Sequence, residues 1–129
     1  MTTKITYILT FLVTFFAGIQ TSLIATGVLI VIDTLLGLLA ARKTKTPIQS
    51  RKLARVLTKM LAYQLLIISA EIVHLYLFPQ LPIVNVTLGF IAVTEFLSIA
   101  ENFTILTGKN FIKYIRDYLT NKLENIKKD

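Results

Sequence analysis

Four acidic residues, Asp33, Glu71, Glu95 and Glu101, stand in stretches of sequence that are otherwise apolar. A carboxylate at a lipid-facing position near the middle of a bilayer costs roughly 2.5–3.5 kcal/mol on insertion scales, so each group must face protein or water, or lose its charge. Asp33, Gly37 and Ala41 recur every four residues and share one helix face. That face carries a carboxylate and a groove of small side chains, which lets helices approach closely, and it is expected to form an oligomer interface. Glu71 and His74 are three apart on another face, while Glu95, Ser98 and Asn102 recur at spacings of 3 and 4, with Glu101 one position off that stripe. These six are expected to line a pore or polar seam. The plainer alternative is hydrogen-bonding glue inside one bundle, with Glu71 and His74 satisfying each other. Three striped spans carry more polarity than such packing requires.

Other chemistry is excluded or weak. With no Cys and a single His, thiol catalysis, thiolate zinc sites, Fe–S clusters and a three-His metal site within one chain are ruled out. Glu71-Ile72-Val73-His74 has the E-x-x-H spacing of di-iron bundles, and a homodimer would supply two copies, but so short a spacing is common by accident. Thr107-Gly108-Lys109-Asn110 lacks the glycine spacing of a phosphate loop. No nucleophile–base motif is present, so no enzyme, catalytic residue, metal site or cofactor is expected.

The elements that must position the acids follow from composition. Of 129 residues 54% are hydrophobic and 16% charged, against about 25% charged in soluble domains. The natural solvent for such a chain is lipid. The fourteen basic residues fall into three groups: Lys4 alone, seven from Arg42 to Lys59, and six from Lys109 to Lys128. The two stretches between them are each too long for one pass at about 20 residues per span. Gly18-Ile19-Gln20-Thr21-Ser22 and Pro79-Gln80-Leu81-Pro82 interrupt them, which predicts an all-α integral membrane protein of about four transmembrane helices in two hairpins. The spans fall at about 5–19, 22–41, 57–78 and 83–105, giving a transmembrane domain over 1–108 and a tail over 109–129. The positive-inside rule then places both termini and the 42–59 loop in the cytoplasm. Lys4 before an apolar run also fits a signal peptide, but no small-x-small site precedes Gln20, which favours retention.

Arg42, Lys43, Lys45, Arg51, Lys52 and Arg55 form a basic surface suited to anionic headgroups, and Ser50 is a candidate N-cap for the helix that follows. From Lys109 onward, Ile112, Ile115, Leu119, Leu123 and Ile126 follow a 3-4-4-3 spacing, the pattern of an amphipathic helix. Such a helix lies on the inner surface or pairs with copies of itself.

Two runs carry a family resemblance. Asp33-Thr34-Leu35-Leu36-Gly37-Leu38-Leu39-Ala40-Ala41-Arg42-Lys43, followed by Ser50 to Lys52 and by Lys59 leading into an apolar span, resembles the phage holins and the related clostridial toxin-secretion holins. Glu95-Phe96-Leu97-Ser98-Ile99-Ala100-Glu101-Asn102 is similar to that family's second motif. Together the runs cover roughly residues 28–108. The resemblance implies a small inner-membrane protein that accumulates harmlessly, then homo-oligomerises into lesions through which an endolysin or toxin leaves without stable binding. Asp33, Gly37, Glu95 and Glu101 match the family motifs. Members are often drawn with three spans, one fewer than the charge pattern suggests here. The residues by themselves also suit a small proton- or ion-coupled transporter or channel, and a membrane-disrupting defence effector. The partners expected are the bilayer and further copies of the chain, not nucleic acid.

Overall fold

Helix ends fall where the backbone is given something other than an i−4 carbonyl to bond. The computed structural model describes residues 1–128 and contains α1 (Thr2–Lys43), α2 (Ser50–Tyr76), α3 (Ile83–Thr107) and α4 (Phe111–Lys128). Between α2 and α3 the chain turns through Pro79 and Pro82, the latter at the N-cap of α3. Proline cannot continue a helix because it lacks the amide and crowds the preceding turn. At the end of α1, the amide of Thr46 donates to Ala41 O at 2.9 Å and that of Lys45 to Arg42 O at 3.2 Å, with Lys45 at φ 55°. This is a Schellman closure with a lysine in the left-handed position usually held by glycine. At the end of α3 that position belongs to Gly108, at φ 72°, whose amide donates to Thr104 O at 2.8 Å.

The predicted turn at Gly18–Ser22 does not form: α1 runs unbroken through it for 42 residues. No proline occurs there, a single helical glycine costs only about 1 kcal/mol, and threonine and serine hydroxyls can bond back to the preceding turn without breaking it. Among the described residues three helices, not four, are therefore long and apolar enough to cross a membrane. At a rise of about 1.5 Å per residue α1 is roughly 63 Å long, about twice a 30 Å hydrocarbon core. Ser50 is also corrected: Gln49 occupies the N-cap of α2 with no side-chain cap bond, and Ser50 is the first helical residue.

The cross-helix contacts give the topology. Phe11 lies against Tyr76, Gln64 donates to Leu23 O, and Lys59 reaches Asp33, so α2 runs antiparallel to α1. Ser98 and Asn102 meet Asp33, and Lys43 meets the end of α3, so α3 runs parallel to α1. The result is an up-down-up bundle. Lys4 stands at the opposite end from the 44–49 loop and the start of α4, which separates it from the other two basic groups. Ile30, Ile67 and Ile91, one from each helix, are 0% exposed and form the centre of the core, with Ala40, Ala70 and Ala100 allowing close approach. Most large apolar side chains face outward instead, among them Leu61, Leu65, Val86, Phe90 and Val93. Such a surface is stable in lipid and not in water.

A buried charge cluster between three helices

Asp33, Lys59 and Glu95 come from α1, α2 and α3 and meet at one depth. Lys59 Nζ lies 3.0 Å from Asp33 Oδ2 and 2.8 Å from Glu95 Oε2, so a single ammonium bridges two carboxylates. Glu95 is 1% exposed and Asp33 is also buried. Ser98 Oγ donates to Asp33 Oδ1 at 2.6 Å, and Asn102 Nδ2 donates to the same oxygen at 3.1 Å. Every buried side-chain polar atom among the described residues has a hydrogen-bond partner. Two acids against one lysine leave an excess of formal negative charge, which the Ser98 and Asn102 donors help to disperse. A network of this kind is costly to disturb, because removing one member strands the others in largely apolar surroundings.

The face carrying Gly37 serves that cluster. A Cβ built on Gly37 would come 3.4 Å from Asn102 Nδ2, so the glycine makes room for the amide that binds Asp33. A hollow of about 250 Å³, lined by Asp33, Gly37, Ala41, Lys52 and Asn102 among others, opens beside the cluster toward the loop end. Within the single chain, Asp33 and Gly37 of the face expected between chains meet Ser98 and Asn102 of α3, while Gly37 and Ala41 border the hollow. This follows from rotation: once Asp33 turns inward to its lysine, residues one and two turns later must turn with it.

Of the six residues assigned to a pore or seam, Glu95, Ser98 and Asn102 meet at the cluster. The other three do not. Glu101 points outward and is exposed. Glu71 sits at the other end of the bundle, beside Gly18 and in a hollow lined by Phe11, Phe15 and Tyr76. His74 Nδ1 donates to Leu81 O at 3.1 Å and pins the α2–α3 turn, so the Glu71–His74 pair of the plainer alternative gives way to a side chain-to-backbone bond. Among the basic surface residues, Lys43 has a defined structural role: its ammonium donates to Ile105 O and Leu106 O, both at 2.9 Å. It thereby satisfies the unpaired carbonyls at the negative end of α3.

Lys59 and Gln64 were not among the predicted site residues. Lys59 reads as the last charge of the basic loop, but helix rise reveals its depth. Asp33 lies about 15 Å from the end of α1, Lys59 about 14 Å from the start of α2, and Glu95 about 18 Å from the end of α3. Three connected helices with charges at nearly equal depth are poised to pair. Gln64 likewise ties α2 to α1, donating to Thr26 Oγ1 at 3.3 Å as well as to Leu23 O at 3.2 Å.

Three apolar helices closed around an internally satisfied ion cluster, with a lipid-compatible exterior, define an all-α membrane protein. Residues 10–128 match the bacteriophage holin family, and the chain belongs to that family. No match to the chain stands among curated proteins or among solved structures.

Proposed function

We propose that the chain permeabilises a bacterial inner membrane as a holin, crossing it three times with its N-terminus outside and its loop and tail in the cytoplasm. The family match over residues 10–128 carries this reading. The topology is supported by charge: α1 has one basic residue near its start, whereas the 42–59 segment and the tail are both strongly basic and lie at the other end of the bundle. In this reading the single-chain bundle is the harmless form. Its three polar faces are turned inward and satisfied by one another, so it can accumulate in lipid without opening a path. Homo-oligomers form lesions when helices separate and the Asp33 and Glu95 faces exchange their internal partner for water or another chain. An endolysin, or in toxin-secreting systems a toxin, passes without stable binding.

The test is expression in a bacterium with and without a cytoplasmic peptidoglycan hydrolase that has no export signal. Dye entry is expected whenever the chain is induced, and lysis only when both proteins are present. Intact cells despite membrane-inserted chain and active hydrolase would refute the proposal.

A further inference from the structure

We propose that α4 is an interfacial helix that docks on an anionic bilayer surface, not a free tail and not a self-pairing coil. The first observation is where the helix starts. Phe111 packs between Phe96 and Phe103 of α3, with ring centroids 6.1 and 6.2 Å apart, so the first turn of α4 is pinned to a helix that crosses the membrane. Only Gly108, Lys109 and Asn110 separate α3 from α4, so the start of α4 stays at the end of α3.

The second observation is an unpartnered apolar stripe. At about 100° per residue, Ile112, Ile115, Leu119, Leu123 and Ile126 fall within an arc of about 80°. Ile112 and Ile115 are half-buried, but Leu119, Leu123 and Ile126 are 51%, 60% and 64% exposed and touch no other helix strongly enough to be covered.

The placement of charge selects the occupant. Lys122 flanks the stripe on one side, Arg116 and Lys127 on the other, each about 60–80° from its centre, whereas Asp117 and Glu124 lie close to the opposite pole. Lysine and arginine at the polar–apolar boundary are where a long stem can lie along acyl chains while the cation reaches a phosphate. The acids point to water, away from the headgroups. A second copy is disfavoured by the same arrangement. In a parallel pair Lys122 would face Arg116 or Lys127 across the seam, and in an antiparallel pair each flank would face its like, so both orientations oppose cation to cation. The inference requires only that α1–α3 reside in a membrane and is independent of lesion formation.

The test uses the full chain, which has no native cysteine, carrying Leu123→Cys or Glu124→Cys labelled with an environment-sensitive fluorophore. It is reconstituted in phosphatidylcholine vesicles with or without about one-third phosphatidylglycerol. With the anionic lipid, the label at 123 is expected to shift blue and be quenched by nitroxide lipids, while the label at 124 stays in water. Replacing Arg116, Lys122 and Lys127 together by Gln should lower the docked-to-free ratio on the order of a hundredfold, as should omission of the anionic lipid. Equal solvent exposure at 123 and 124 in anionic vesicles overturns the proposal. So does a lipid-independent blue shift together with 123–123 disulfide crosslinking of the unlabelled Leu123→Cys chain, which would assign the stripe to a second copy.

Discussion

Lys59 is the residue on which the bundle turns, because it is the shared partner of two buried acids on two other helices. Its replacement by methionine keeps the length and removes the charge, leaving Asp33 and Glu95 facing each other. Loss of one partner from a buried ion network costs about 3–5 kcal/mol; the partial exposure of the lysine puts the expected loss near the lower bound. Denaturation in mixed detergent micelles, followed by circular dichroism, measures it. The triple variant Asp33→Asn, Lys59→Met, Glu95→Gln, which removes all three charges together, should recover most of that loss. If the triple variant is as unstable as Lys59→Met, stranded charge is not the cause. Gly37→Leu tests the neighbouring contact. Its side chain would displace Asn102 from Asp33, so destabilisation should appear at protein concentrations where the chain is monomeric. Dependence on concentration would instead return this face to an interface between copies.

At the scale of elements, the unbroken α1 and its closure make separate predictions. A continuous α1 puts Thr3 and Thr44 at opposite ends of the bundle. In intact cells a cysteine at Thr3 should therefore react with an impermeant thiol reagent, and one at Thr44 should not. Protection at both sites would require the chain to turn back near Gly18–Ser22, contrary to the helix described. Lys45 holds a left-handed conformation that costs an L-residue with a Cβ roughly 1–2 kcal/mol. Lys45→Gly should therefore raise stability by up to about 1 kcal/mol, read in the same micelle assay. A drop would mean that the lysine charge at this position outweighs its backbone strain. The paired closure at Gly108 should respond in the opposite sense, Gly108→Ala weakening the α3–α4 corner.

For the whole molecule, the proposed opening into a lesion would have to break the cluster that stabilises the single chain. Variants that weaken it while still inserting should shorten the delay between induction and dye entry, whereas the charge-free triple variant should lengthen it or abolish permeabilisation, since its faces offer water much less. Glu124→Gln, at the water-facing pole of α4, should leave the timing unchanged. Timing that is the same in Lys59→Met, the triple variant and the parent chain would separate the cluster from lesion formation.

Much of this protein is a local property of its chain. Composition and the spacing of charge assign it to lipid, the two prolines at 79 and 82 stop one helix and start the next, and the 3-4-4-3 stripe makes α4 amphipathic. Each follows from neighbouring residues, because helix termination and the period of an apolar face depend on backbone geometry within a few turns. The acids at 33 and 95 are equally visible as charges that lipid cannot hold. What they pair with is not visible locally. Sequence spacing leaves free how each helix is rotated about its axis and at what depth it sits against the others. Tertiary packing fixes those two variables together, bringing Lys59 from the edge of the basic loop to Asp33 and Glu95 and turning Gly37 toward Asn102. The continuity of α1 through Gly18–Ser22 has a different cause. A weak turn signal there is overridden because helical hydrogen bonds are the only partners that lipid leaves to the backbone.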